Sequence, residues 1–303
     1  MRISVLLAEV MLLSALGGAP LASQSPASPA QPAQQDFSQV EIKTTKITDS
    51  IFALEGQGGR IGVLVGPDGV LMVESQFAPL GEKILAAIGK ISNGRIRFLV
   101  NSHFHPDHSG GNEVFVKQGA ILVGRKQLRT RLAESSPPAA ALPVITYERT
   151  MMFHLNGEEV ELFAMPDAHT DGDTGVYFHQ SDVLMTGDVF RSFGFPNIDL
   201  ASGGTLEGML ESLDEMIKMA GPNTRVVPGH GPITDRAGLM AHRDMILTIR
   251  DRVAQMIKER KTLEQVVAAK PTADYDERIG NVVATADRFV GQVYKELNPP
   301  TRK

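Results

Sequence analysis

The 303-residue chain contains no cysteine. That excludes disulfides, thiolate metal ligands and a cysteine nucleophile, and leaves the compartment open. Clustered basic residues are also missing: 30 Lys and Arg stand against 35 Asp and Glu, a net charge of −5. Nucleic-acid binding needs a concentrated basic face, so no nucleic-acid partner is expected. Past the N-terminal stretch, no run stays apolar for the ~20 residues of a membrane-spanning helix. Histidine is scarce too, eight in all. Its placement is therefore informative, because "HFHPDH" holds three of them beside an aspartate.

Arg2 precedes the apolar run "ISVLLAEVMLLSALGG", and small residues lead into "SQSPASPAQPAQQ". This order reads as a signal peptide followed by a disordered linker over residues 1–36, and it predicts a periplasmic or secreted protein. From Val40 the pattern becomes short, hairpin-linked strands: "VEIKTTKI", which alternates, "SIFALEG", "RIGVLVG", the turn "PDG", then "VLMVES". A helix over "PLGEKILAAIGKIS" and a buried strand "IRFLV" follow. "SSPPAAALP" reads as a loop. Asn-Gly tips a hairpin between "RTMMFHL" and "VELFAMP", and "TGVYFHQ" with "VLMTGD" makes another. An amphipathic helix precedes "RVVPGHG", and from about residue 235 the chain reads as helical to its end. Two β-rich runs, each followed by helix, predict two face-to-face sheets with helices outside, within one domain over residues 37–303. The C-terminal stripes, through Leu239, Ile246, Ile249 and Val253 and through Val283, Phe289, Val290 and Val293, are expected to cover one sheet, with a homodimer as the alternative to a monomer.

His103, His105, Asp107 and His108 directly follow the strand "RFLV". Alternation places His103 and His105 on one side of an extended chain, and Pro106 turns the backbone before Asp107 and His108. Neutral imidazole and carboxylate are the usual oxygen and nitrogen donors to zinc. Three more donors close short apolar strands at glycine-containing loops: His169 in "MPDAHTDGDTG", Asp188 in "VLMTGDVF" and His230 in "RVVPGHGP". Loops of this kind gather at one rim of a domain, where sites form. His154, His179 and His242 read as ordinary packing or surface residues. Thr170, Asp171 and Asp173 either steady an imidazole or simply form the turn.

"HFHPDH", "AHTDGD", "TGD" and "VPGHG", in this order, resemble the metallo-β-lactamase-fold hydrolase superfamily over about residues 40–232. The resemblance implies an α/β fold, a four-layer αβ/βα sandwich, with two divalent metal ions, zinc by preference, at one edge. It assigns His103, His105 and His169 to one metal, Asp107, His108 and His230 to the other, and Asp188 to both. A bound divalent ion lowers the pKa of water from about 16 towards about 7, so a metal-bound hydroxide is available for attack, with Asp107 orienting it and handling its proton.

Fold and metals do not name a substrate. The β-lactamase subclass with a cysteine ligand is excluded by composition. Another subclass shares "HFHPDH" but usually lacks a bridging aspartate, so Asp188 points towards glyoxalase II-like thioesterases, lactonases and their relatives. The expectation is a zinc hydrolase of a small-molecule ester, thioester, lactone or β-lactam. Phe190, Phe193, Phe195 and Ile198, just after Asp188, either line the substrate or pin a long loop to the core. Two other classes stay open: a mononuclear iron dioxygenase acting on a persulfide, and a non-catalytic periplasmic binding or relay protein.

Overall fold

The computed structural model describes residues 36–280 and 282–299, without the side chains of 282–284. The expected signal and linker lie outside the described residues, apart from Asp36. Among the described residues, seven strands form the first sheet, in the order of the chain: β1 (Lys43–Lys46), β2 (Ile51–Glu55), β3 (Ile61–Leu64), β4 (Val70–Val73), β5 (Ile96–Val100), β6 (Ile121–Arg125) and β7 (Ile145–Tyr147). β1 to β4 are antiparallel, as hairpins must be, and β4 to β7 run parallel. The parallel crossovers carry α1 (Gly81–Gly89), the short helices α2 (Pro106–Ser109) and α3 (Asn112–Lys117), and α4 (Lys126–Glu134). The sequence pattern does not reveal β7: three residues, two of them exposed, are too few to show a period.

The second sheet has the order β12-β11-β10-β9-β8, from β8 (Thr150–Leu155), β9 (Glu158–Ala164), β10 (Thr174–Phe178), β11 (Val183–Met185) and β12 (Arg225–Val227). Asn156 and Gly157, at φ 56° and 78°, make the predicted tight turn between β8 and β9. The two sheets are tied at that turn: Asn156 N donates to Asp68 Oδ2 at 2.7 Å, and Asp68 N donates to Asn156 Oδ1 at 2.8 Å.

Strand alternation builds three apolar layers. Leu71 and Val73 point inward to meet Val160, Leu162, Val183 and Met185 of the other sheet. Val70 and Met72, one residue out of phase, meet Ile84 and Ile88 of α1 and Phe115 of α3. Leu184 and Val226 face outward onto α5 (Leu206–Met219), α6 (Arg236–Lys258) and α9 (Val282–Leu297). Three interfaces make four layers, the predicted αβ/βα sandwich. Each fully buried Leu, Ile or Val side chain in them contributes about 1.5–3 kcal/mol.

The C-terminal helices form the outer layer. Thr205 caps α5 by accepting from Gly208 N, and Asp235 caps α6 by accepting from Gly238 N. α7 (Leu263–Ala268) begins with a full capping box between Thr262 and Gln265, and α8 (Asp276–Ile279) is a single turn. Leu239, Ile246, Ile249 and Val253 of α6 are buried with Phe289, Val290 and Val293 of α9. Phe289 stacks on Phe195, with ring planes 10° apart. Val283 of the predicted stripe has its side chain outside the described residues.

His242 of α6 sits in this layer, edge-on to Phe190, with Nε2 buried and unpartnered. Burial, with the charges of Arg191 and Arg278, pushes its pKa down to about 3. The imidazole is thus neutral in the fold, whereas in the unfolded chain it takes a proton below about pH 6.5. Stability from this group is therefore complete above about pH 6.5 and falls as pH drops towards 3. His242→Leu should flatten the stability curve, removing about 3 kcal/mol of the loss between pH 6.5 and 4 at 1.36 kcal/mol per pKa unit. Urea unfolding of both proteins across that range checks it. Parallel curves would show that His242 takes no part.

Candidate metal centre

Every predicted donor lies just past the C-terminal end of a strand: His103 after β5, His169 after β9, Asp188 after β11 and His230 after β12. The loop after β5 is braced from beneath by buried amides. Asn101 Nδ2 donates to His108 O, and Asn112 Nδ2 donates to Asn101 Oδ1 at 2.8 Å. Pro106 opens α2, which carries Asp107 and His108. Two glycines allow the close approach. A Cβ on Gly59 would lie 2.2 Å from the His108 ring, and one on Gly229 would lie 2.1 Å from Asp188 Oδ1.

The first group is His103, His105 and His169. His105 Nδ1 stands 3.2 Å from His103 Nε2 and 2.9 Å from His169 Nε2. The opposite nitrogen of each ring is committed elsewhere. His103 Nδ1 meets Ser102 Oγ at 2.9 Å, His105 Nε2 donates to Asp199 Oδ2 at 3.0 Å, and His169 Nδ1 donates to Asn197 O at 2.7 Å. With those protons placed outward, three lone pairs converge. Burial, reinforced by the neighbouring imidazoles, holds His103 well below its ordinary pKa. Burial brings His169 down to about 4 against the pull of Asp188. Both rings are neutral at physiological pH, which is the ligating form.

Asp107, His108 and His230 form the second group, with one ligand atom from each within 4.8 Å of the others. His108 is sealed from solvent, and its Nδ1 lies 3.2 Å from Glu74 Oε1, leaving Nε2 facing inward. Burial alone would depress this imidazole; the carboxylates of Asp188 and Glu74 outweigh it and raise the pKa. Asp188 stands between the groups. Its Oδ1 is 3.2 Å from His108 Nε2 and from His230 Nε2, and its Oδ2 is 3.9 Å from His169 Nε2. Burial works against its charge, but His230 and His108 hold the carboxyl well below the usual range. Asp188 Oδ1 is nevertheless buried without a well-aimed hydrogen bond. An orphaned carboxylate oxygen facing inward-turned imidazoles suits a divalent cation, which the protein's own N–H groups do not replace.

The structure thus brings together all seven residues singled out from the sequence. Of the two readings for Thr170, Asp171 and Asp173, it supports the turn. Asp173 accepts from the backbone N–H of His169 and Thr170 and so shapes the loop, and Asp171 pairs with Arg131 at 2.7 Å. Buried in that loop, the Asp173 carboxyl is pushed up to about 7 despite these hydrogen bonds. None of the three touches an imidazole ring. The residues that do are Glu74, Ser102, Asn197 and Asp199. Glu74 is buried at φ 69°, a left-handed conformation uncommon for a side-chain-bearing residue and concentrated at functional sites. Of the four apolar residues after Asp188, Phe190, Phe195 and Ile198 are buried in the outer layer, while Phe193 is 48% exposed. The first three pin the loop, and Phe193 alone remains accessible.

The sequence pattern of the Metallo-beta-lactamase superfamily matches residues 56–230, and the chain belongs to that superfamily. The hydroxyacylglutathione hydrolase of Pelagibacter ubique (strain HTCC1062) is 30% identical over 139 residues, 46% of this chain and 53% of the relative. The chain therefore spans about half the length of that protein. The metallo-beta-lactamase type 2 of Elizabethkingia meningoseptica is 23% identical over 216 residues, covering 68% of this chain and 85% of the relative. Among solved structures, the metallo-beta-lactamase from Pontibacter korlensis aligns with a TM-score of 0.61 at 20% identity, over 68% of this chain and 99% of its own. The sec-alkylsulfatase Pisa1 from Pseudomonas sp. aligns with a TM-score of 0.67 at 15% identity, over 84% of this chain and 50% of its own. These two likenesses concern the fold. Superfamily members are generally metal-dependent hydrolases, and the histidine groups here fit a divalent metal.

Asp199 is the most testable of the outer partners, because its side chain holds His105 and its backbone N–H donates to His169 O. Gln292 of α9 holds the same loop, donating to Asn197 Oδ1 and accepting from Ile198 N. Removing a partner of a metal-binding imidazole typically weakens the metal about 10–100-fold. Asp199→Ala should therefore lose zinc affinity in that range, and Asp199→Asn should lose less. Competition with a chromophoric chelator reads it. Wild-type affinity in Asp199→Ala would show that the contact is incidental.

Proposed function

We propose that this protein is a hydrolase that holds two divalent cations, zinc by preference, and cleaves a small ester, thioester, lactone or β-lactam. The observation that supports this most is the position of Asp188, whose Oδ1, buried without a well-aimed hydrogen bond, stands 3.2 Å from His108 Nε2 and His230 Nε2 while its Oδ2 lies 3.9 Å from His169 Nε2. In this reading His103, His105 and His169 hold one ion, Asp107, His108 and His230 hold the other, and Asp188 offers an oxygen to each. When bound, such ions polarise an acceptor oxygen and bring the ionisation of water towards neutral pH.

The chain's own residues divide into a sealed floor and an open rim. His103, His108 and His169 are buried, whereas the side chains of His105, His230 and Asp107 are 21%, 20% and 29% exposed. A purely structural metal site is closed on all sides, and an open side suits catalysis. Asp107 is the accessible carboxylate. Burial opposes its charge, but the hydrogen bond to His230 and the charge of His108 lower its pKa, so it is anionic at neutral pH. From the rim Asp107 orients an incoming water through a carboxylate oxygen and accepts its proton there. The relatives named as a hydroxyacylglutathione hydrolase and as metallo-beta-lactamases support acyl transfer to water as the reaction class.

A panel of esters, thioesters, lactones and β-lactams, run with and without chelator, tests the reading. Chelator-sensitive turnover of at least one class is expected. Asp188→Ala should bind at most one ion per chain and lose at least about 100-fold in kcat/KM, as expected when a group serving both metals is removed. Two retained ions with full turnover would contradict the role of Asp188. A panel without any turnover, together with one iron per chain and oxygen uptake on a persulfide, would replace the hydrolase with a dioxygenase.

A further inference from the structure

Two arginines are deeply buried among the described residues, Arg60 and Arg125. Arg60 pairs with Glu55. Arg125, 7% exposed at the end of β6, pairs with no carboxylate among the described residues. Its Nη1 donates to the carbonyls of Met165 and Asp173, each at 3.1 Å. Its Nε is buried without an acceptor, and its Nη2 has none either. The Asp173 carboxylate is spent elsewhere: Oδ2 accepts from the N–H of His169 and of Thr170, and Oδ1 accepts from the Thr170 hydroxyl. An arginine keeps its charge inside a protein, and a buried charge without a partner is costly. Nε and Nη2 form one edge of the guanidinium fork, the edge that receives a planar carboxylate through two parallel N–H donors.

Arg125 lines two adjoining cavities, and none of the seven metal donors lines either. One, of about 600 Å³, lies between the end of β9, the start of β8 and the C-terminal half of α5. The other, of about 620 Å³, lies between α4 and the β7–β8 connection. Arg125, Glu148 and Arg149 belong to both. Arg149 is exposed, and its side chain makes no hydrogen bond or ion pair among the described residues. The first cavity has an apolar floor, with Phe163 and Met165 buried and Met219 half-buried. Its carboxylates are mostly answered. Glu161 pairs with His179 at 2.9 Å and Glu148 with Lys126 at 3.4 Å, while Glu215 and Lys218 stand one helical turn apart on α5 and offset each other. The volume is that of a small-molecule pocket: an apolar wall with a few convergent polar groups.

We propose that this cavity is a second small-molecule site, separate from the metal centre, and that it takes a monocarboxylate with a compact apolar body. The carboxylate sits on the Nε–Nη2 edge of Arg125, Arg149 adds a second positive charge from the wall, and the body covers Phe163, Met165 and Met219. Neither the site nor its ligand depends on the hydrolase reading. A phosphate fits less well, because it has no apolar part to place on the floor and one open guanidinium edge matches a planar carboxylate.

Arg125 also ties Met165 to Asp173, the two ends of the segment that carries His169, so its removal would disturb that loop. The test therefore uses Arg149→Gln and Met219→Glu, neither of them at a fully buried position. Calorimetry on the full-length, zinc-loaded protein should find one 2-naphthoate bound per chain, with a Kd below about 1 mM. 2-Naphthamide, with the same body and no charge, should bind at least about tenfold more weakly, and so should acetate, which has the charge and no body. Arg149→Gln loses a cation and Met219→Glu sets a like charge on the floor, and each should weaken 2-naphthoate about tenfold. The absence of saturable binding, or equal binding of acid and amide, would overturn the site. So would wild-type affinity in either variant; if that binding also vanished on removal of zinc, the carboxylate would belong to the metal centre instead.

Discussion

Bare imidazole nitrogens at 2.9 and 3.2 Å from one another have no reason to stay together. Only one proton fits between any two of them, and burial opposes charging His103 and His169. Their arrangement depends on the other side of each ring, where the acceptors Asn197 O and Asp199 Oδ2 fix which nitrogen of His169 and His105 bears the proton and Ser102 Oγ holds His103 Nδ1. Glu74 does the same for His108. The centre is therefore built by its outer hydrogen bonds as much as by its donors. A divalent cation turns the crowding from repulsion into coordination.

Those outer partners explain features of the fold that otherwise look unrelated. The left-handed backbone at Glu74 ends β4 so that its carboxylate reaches both Ser102 N and the His108 ring. The loop after Asp188 is long because it must bury Phe190, Phe195 and Ile198 and then return Asn197 and Asp199 to the histidines. α9, far along the chain, clamps that loop through Gln292 and stacks Phe289 on Phe195. The outer helical layer is thus coupled mechanically to the imidazoles.

Much of this was legible in the sequence. The donor residues could be picked out because histidine is rare here and because each donor follows a short apolar strand at a glycine. The sandwich could be read from two blocks of short apolar strands, each followed by helix. β7 was hidden because three half-exposed residues carry no period. The true partners of the imidazoles were hidden for a different reason. Glu74 and Asp199 are single acidic residues in otherwise ordinary strand ends and loops, and only the packing of the sheets brings them to a ring. Thr170, Asp171 and Asp173 drew attention by their nearness in sequence to His169, yet they shape the backbone of its loop. The four apolar residues after Asp188 form one cluster in sequence, but their backbone directions divide them into three core residues and one exposed ring.

The central claim is that seven side chains are pre-oriented for two ions. Anomalous diffraction at the zinc edge, from crystals of the protein saturated with zinc, tests it most directly. The account predicts two peaks per chain, one within bonding distance of His103 Nε2, His105 Nδ1 and His169 Nε2, the other of His108 Nε2, His230 Nε2 and Asp107, with Asp188 reaching both. A single peak, or a peak bonded to the Nε2 of His105 after a flip of its ring away from Asp199, would contradict it.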